Sequence, residues 1–488
     1  MKYLLILTVG ILCSFAYAST TNDDMFDGKS MVFENHTAGN MKLETSNYGY
    51  FRNLTFPAYA PFLMVAESGT WISAKRYRRD SLGNLLYWLA QVPSAEHDTL
   101  VTADDPLWNS GLMAATDTLT SVAIEGDTNL CELLPAYNPL AYTNPFFSVY
   151  NLQDRVLKSI LGFPAPRQFS IPDPQESYCF SIPQTSAFNT PGLETLSAYY
   201  YDYCPLGTPG DRDWGCDSYH QTHIPLGLAI HRESYAWSLQ GFDDFIVIKN
   251  IIYNTSDIDT LFDIAISEFV DCDIKPVSTG IEGVHNDKSG YIKGVYEFAY
   301  SMSFDAYTDT MLVCNYVGNK IIIPVINVNH HGWFWKKGQC PDDSNPRNLN
   351  PSHSTANEKY WLATGRNPNT SYFTPLRPEA NDQTEWEQSN PTDTRFLNTV
   401  YGNLPTASTP NPEGRLNIAP SSNLTYYSVF FTGNSKPILK SKCLAIESFI
   451  NGGMQMGDTT GLTCLPYFYE PTVELPSNFH MAWQSYTD

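Results

Sequence analysis

Apolar and polar positions alternate along much of this chain in short runs closed by Gly, Pro, Asn and Asp. That period of two predicts strands and turns. The clearest run is Asp244–Asn254, followed by turn residues at Thr255-Ser256-Asp257, and then Thr260–Val270, with Asp263 and Ser267 set among apolar residues. Tyr291–Tyr300, Met311–Tyr316, Lys320–Val328 and Asn423–Phe431 read as further strands. Helical periodicity is confined to Ser81–Val92, which places Leu82, Leu85, Leu86, Trp88, Leu89 and Val92 on one face, and to Lys440–Ile450. The pattern predicts an all-β fold: antiparallel β-sandwich packing with long irregular loops and few short helices.

The intervals between these runs differ in character. Residues 1–18 read as a leader, and 19–225 as an N-terminal β-rich region with Pro/Tyr-rich loops. Residues 226–330 carry the central sandwich strands. Residues 331–420, with almost no aliphatic runs, read as a long loop-rich excursion held by Trp333, Trp335, Tyr360, Trp361 and Tyr372. Residues 421–488 supply a last strand, a short helix and a tail.

The leader reading changes the picture most. Lys2 precedes the largely apolar run Leu4–Phe15, and Ala16-Tyr17-Ala18 offers the small-x-small pattern of a signal peptidase site, with cleavage expected before Ser19. Twelve residues fall short of the roughly 20 that span a bilayer. The expected destination is therefore the extracellular space or the cell surface, with no transmembrane segment in the mature chain. Of ten cysteines, Cys13 leaves with the leader, and nine remain as disulfide candidates. Cys204 with Cys216, around a turn-rich loop, is the best local pair, and Cys443 with Cys464 the second.

The chain of 488 residues carries 29 Lys and Arg against 51 Asp and Glu, a net charge of −22. Loss of Lys2 makes the mature chain 28 − 51 = −23. Nucleic acid and anionic membrane surfaces require basic patches, so neither is expected as a partner. Aromatic residues at 14% supply material for a substantial core.

Several blocks in fixed order resemble a known group. They are Gly69–Lys75 (G-T-W-I-S-A-K), Pro225–Leu228 with Ser234–Trp237, Asp243–Val247 with Tyr253–Thr255, Asp271–Ile274 with Asn286-Asp287 and Gly290-Tyr291, and Leu416–Pro420 before Tyr426–Gly433. Together they resemble segments of large secreted β-rich proteins of the Bacteroidetes–Ignavibacteria–Cloacimonetes type. Many of those proteins end in a type IX secretion sorting domain; here Leu465–Asp488 follows Cys464 without a recognisable sorting module. The resemblance spans roughly residues 45–450 and implies exported β-sandwich architecture rather than a particular activity.

Among chemistries, a metal site is the leading candidate. Asp271 and Asp273, at i and i+2 past a strand, point to one face, and Asn286 and Asp287 follow a loop containing Gly280 and Gly283. Hard oxygen ligands from two loops suit calcium, the candidate cofactor. Asp211, Asp213 and Asp217 form a weaker acidic loop, and the histidines His220, His223, His330 and His331 lack a third ligand for zinc. No G-x-S-x-G, H-E-x-x-H, P-loop or G-x-G-x-x-G motif occurs, which disfavours serine hydrolase, zincin, NTPase and dinucleotide chemistry. Glycoside hydrolysis needs two carboxylates across a cleft. Glu268 and Asp271, beside Trp237 and Tyr253, are the pair nearest to that requirement. The expected function is that of an exported non-catalytic sandwich with a structural, adhesive or carbohydrate- or protein-binding role; the alternative is a secreted carbohydrate-active enzyme, a glycoside hydrolase or lyase, on the same scaffold.

Overall fold

The computed structural model describes residues 33–46, 49–57, 62–75, 112–114, 134–135, 157–160, 169–172, 179–182, 194–201, 226, 228–238, 241–254, 258–276, 287–303, 316–324, 326–336, 363–365, 385–404, 409 and 412–454. In chain order the strands begin with β1 (Phe33–Asn35), β2 (Lys42–Ser46), β3 (Tyr50–Phe56), β4 (Phe62–Lys75), β5 (Leu112–Ala114), β6 (Leu134–Pro135) and β7 (Leu157–Ile160). Next come β8 (Phe169–Pro172), β9 (Cys179–Ile182), β10 (Glu194–Tyr201), β11 (Leu228–Ala236), β12 (Phe245–Asn254), β13 (Phe262–Asp271) and β14 (Lys275–Pro276). The last are β15 (Asp287–Ile292), β16 (Phe298–Ser303), β17 (Tyr316–Ile322), β18 (Asn329–Lys336), β19 (Glu385–Glu387), β20 (Thr394–Tyr401) and β21 (Asn423–Gly433), followed by helix α1 (Lys436–Asn451).

The fold is all-β, as the alternation predicts. One nine-stranded sheet has the order β1-β2-β3-β4-β13-β20-β18, with β5 and β14 also on β4. A ten-stranded sheet has the order β19-β15-β16-β17-β21-β12-β11-β10-β6, with β7 also on β10, and β8 pairs with β9 separately. Neighbouring strands run antiparallel. The two large sheets face each other across buried clusters to which both contribute. Ile266, Val400, Ile230, Ile252 and Ile321 lie in one, and Phe51, Val270, Phe396, Ile248 and Phe430 in another.

Three expectations about elements change. Tyr291–Tyr300 is two strands: β15 ends at Ile292, the chain turns through Gly294 at φ +86°, and β16 starts at Phe298. Lys320–Val328 is likewise divided between the end of β17 and the connection to β18. The largest change concerns 331–420, read as an excursion. It supplies most of β18, all of β19 and all of β20, and β20 is an inner strand between β13 and β18. These strands escape an aliphatic search because Trp, Phe, Thr, Asn and Arg fill their buried positions, as in Trp333, Phe334, Trp335, Thr394, Arg395, Asn398 and Thr399. Met311 to Asn315 and the expected helix at Ser81–Val92 lie outside the described residues.

The C-terminal helix begins four residues before the expected Lys440. Pro437 stands in its first turn, where its missing N–H costs nothing. Leu439, Cys443, Ile446, Phe449 and Ile450 recur at helical spacing and pack on the outer face of the second sheet, against Trp237, Phe242, Phe245 and Phe431. Trp237 makes ring contacts with Phe245 at 5.3 Å and with Phe449 at 5.6 Å. Buried Lys442 adds an ion pair to Asp244 and donates to the Thr432 carbonyl at 2.8 Å. Both faces of this sheet are therefore covered, one by the other sheet and one by the helix.

Candidate functional site

Of the residues singled out for metal binding, Asp271 and Asp273 come together with an aspartate from elsewhere in the chain, and Asp287 lies near enough to feel their charges without joining that cluster. Asp271 closes β13, Asp273 lies two residues beyond it, and Asp287 opens β15 in the opposite sheet. The added carboxylate is that of Asp393, the residue before β20. Carboxylate oxygens of Asp271, Asp273 and Asp393 lie within 4.8 Å of one another. Arg395 pairs with Asp271 Oδ2 at 3.0 Å and with Asp393 Oδ1. Asp287 is buried, and its Oδ2 accepts the Ile274 N–H at 3.1 Å. Burial, then the charges of Asp273 and Asp271, push its carboxyl well above the usual range. Asn286 lies outside the described residues. Asp393 could not be found by local spacing, because it sits 393 − 271 = 122 residues from Asp271 in a segment without aliphatic runs.

Glu268 does not lie on a cleft. It projects between the sheets from the middle of β13, fully buried, where nearly every neighbouring strand also turns a polar residue inward. Arg232 on β11 donates through Nε to Asn250 on β12 at 2.8 Å and through a terminal nitrogen to Thr70 on β4 at 2.7 Å. Thr70 donates to Glu268 at 2.8 Å. Asn398 on β20 crosses to Asn319 on β17 at 2.9 Å, and Asn319 reaches Ser428 on β21 at 3.2 Å. The result is a polar belt through the sandwich, with apolar clusters on either side of it. Burial pushes the Glu268 carboxyl up to about 7, against Arg232, Thr70 and Ser428, which hold it down. Trp237 lies under α1 on the far side of the second sheet, so the sequence-level grouping of Glu268, Asp271, Trp237 and Tyr253 does not form one site.

A second buried cluster has the connectivity of a hydrolase relay. Ser234 on β11 meets His36 Nε2 at 2.5 Å, and His36 Nδ1 meets Glu194 Oε2 on β10 at 3.3 Å. With the proton on Nδ1, the imidazole donates to Glu194 and accepts the Ser234 hydroxyl, the tautomer that a serine nucleophile requires. Glu194 also accepts the Thr37 and Ala38 N–H groups at 2.5 and 3.0 Å. The turn after β1 is thereby tied to the second sheet. Gly39 completes the tie: at φ +79° its backbone lies so close to the Trp237 carbonyl that a Cβ would fall 2.3 Å from it. Ser234, His36 and Glu194 are all buried, and Ser234 stands mid-strand, where no carbonyl can reach it. The cluster acts as a tie between sheets. A fluorophosphonate probe should leave the mature protein unlabelled; labelling that disappears in Ser234→Ala would show instead that the strand opens and the serine reacts.

The remaining candidates separate. His330 and His331 are consecutive on β18 and so point to opposite faces, which prevents them from chelating one ion. Burial pushes His330 down to about 4. Cys443 is buried on α1, its thiol donating to the Tyr296 carbonyl at 3.3 Å and pushed up to about 12. Cys204, Cys216, Cys464, His220, His223, Asp211, Asp213 and Asp217 lie outside the described residues. Among the described residues, no helix is long and apolar enough to cross a membrane.

No family model matches the chain, and no curated protein matches it. Among solved structures it is similar to the Slr1438 protein from Synechocystis sp. PCC 6803, at 9% identity and a TM-score of 0.21, over 63% of this chain and 86% of that one. It is also similar to a candidate aldose 1-epimerase from Klebsiella pneumoniae subsp. pneumoniae MGH 78578, at 8% identity and a TM-score of 0.20, over 88% and 89% of the two chains. Similarities this shallow carry no argument about activity.

Proposed function

We propose that the chain is an exported protein of the bacterial surface or extracellular space, a non-catalytic β-sandwich with a structural or adhesive role toward carbohydrate or protein partners. The observation that carries this reading is the use made, among the described residues, of several reactive side chains. Glu268, Arg232, Ser234, His36 and Glu194 are all enclosed and hydrogen-bonded across strands. They act as framework, which leaves recognition to loops and rims. The leader ending at Ala18 and the resemblance to secreted β-rich bacterial proteins support export.

The test uses the mature chain from Ser19. It is applied to a glycan array, with reducing-end release measured on the same glycans. Retention without release supports an adhesive role. Release of new reducing ends, or of unsaturated products, would overturn the reading in favour of a glycoside hydrolase or lyase. Expression of the full chain with its leader tests export separately: the exported product should begin at Ser19 by mass spectrometry.

A further inference from the structure

We propose that Lys442 and Asp244 join through an intramolecular amide bond, Nζ to Cγ, that locks α1 onto the sheet it covers. Lys442 lies near the middle of α1, and Asp244 is the residue before β12. The two are 198 residues apart in the chain. The bond closes a covalent ring that runs through strands of both sheets, since β13, β20 and β21 all lie between its ends. The proposal does not depend on the adhesive role.

Three observations lead to the bond. The first is contact. Lys442 Nζ meets Asp244 Oδ2, and the same nitrogen donates to the Thr432 carbonyl at 2.8 Å. The second is enclosure. Lys442 stands three residues after Leu439 and four before Ile446, on the face of α1 that packs against Trp237, Phe242, Phe245 and Phe431. Both members of the pair are buried there. An enclosed ion pair is costly, and moving one proton converts it into a neutral amine and a neutral carboxylic acid, the forms that condense. Burial raises the Asp244 carboxyl, against Lys442, which holds it down. Lys320, the other buried lysine among the described residues, differs, because its partner Glu447 is 32% exposed and its charge stays hydrated. The third observation is Asp244 Oδ1, which is buried without a hydrogen-bond partner. Such an oxygen is costlier in a charged carboxylate than in a neutral amide.

The step balances without a further reagent. Lys442 passes a proton to Asp244 Oδ2, and the freed Nζ lone pair attacks Cγ. The Nζ–Cγ bond forms and the Cγ–Oδ2 bond breaks. Oδ2 leaves as water, carrying that proton and a second one from the nitrogen. Oδ1 stays as the amide carbonyl, and the one N–H left on Nζ already has its acceptor in the Thr432 carbonyl. Holding the two groups in contact supplies the advantage of a well-oriented intramolecular reaction, with effective molarities of up to about 10⁸ M. Enclosure also keeps out the bulk water that would reverse the step.

The test is mass spectrometry of the reduced, denatured mature protein, intact and as a peptide map. The wild-type chain should weigh one water less than its sequence, and a branched peptide should join the segment holding Asp244 to the segment holding Lys442. An amine-acylating reagent applied in denaturant should modify the other lysines and spare Lys442. Lys442→Met and Asp244→Ala should each return the chain to its full sequence mass. A wild-type chain at full mass, with Lys442 acylated, would overturn the bond and leave a buried ion pair. Water lost within a single linear peptide, as in a succinimide, would overturn it as well. The wild-type map separates these outcomes even where a variant fails to fold.

Discussion

Arg232→Met should destabilise the protein by about 3–5 kcal/mol at pH 8, the usual cost of leaving one member of a buried charge pair without the other. Arg232 is enclosed between the sheets, bonded to Asn250 and Thr70, with its guanidinium 4.2 Å from the Phe51 ring centroid. Its charge is what holds the Glu268 carboxyl down against desolvation. Removing it leaves Glu268 with hydroxyl partners but no cation. The cost should shrink at pH 5, where Glu268 in the variant takes up a proton. It should also be largely recovered in the double variant Arg232→Met/Glu268→Met, because replacing both members of a buried pair by apolar groups is often neutral. Urea unfolding followed by tryptophan fluorescence measures all three. A pH-independent loss, or no recovery in the double variant, would mean that packing around Phe51 is the main contribution of Arg232.

The second large effect is a pH dependence. The Glu268 carboxyl is pushed up to about 7 in the folded protein, from an ordinary value of 4.5. The folded state thus holds this proton more tightly than the unfolded state. The stability it contributes is fully present below 4.5 and is lost as pH rises to about 7. A shift of that size corresponds to about 3 kcal/mol. Glu268→Gln, which mimics the protonated side chain, should gain on the wild type by about that amount between pH 4.5 and 8. The comparison between the two proteins is the readout, because His231 slopes the other way. Burial pushes His231 down to about 4, so its contribution is lost as pH falls from 6.5 toward 4. Parallel stability curves for wild type and Glu268→Gln would sink the assignment.

The parts of the fold legible in the sequence are those in which one simple period is strong. β12, β13 and β21 announce themselves through Ile, Val, Phe and Tyr, and the helical face of α1 through Leu439, Cys443, Ile446, Phe449 and Ile450. β18 and β20 do not, because they are buried on both faces and fill those faces with Trp, Thr, Asn and Arg. The β15–β16 turn is hidden because Tyr291–Tyr300 reads as one continuous β-prone run. Of the acidic cluster, Asp271 and Asp273 were legible from their placement beside a strand end. Asp393 was not, since only the pairing of β13 with β20 brings it near.

The relay of Ser234, His36 and Glu194 gave no local signal either. Its members are 36, 194 and 234 in the chain, and the strand pairing of β10 with β11 and the docking of the β1–β2 turn assemble it. A motif search has nothing to find when the spacing is set by the fold.

By itself the sequence determined the fold class and the acidic balance, because each is written in local pattern or in simple counts. The tertiary structure decided which polar residues face water and which face the interior. Alternation tells which side chains share a face of a strand, but not what lies opposite that face. Glu268 and Arg232 are charged residues that a one-strand reading places at random; they became a buried belt only when one sheet closed over the other.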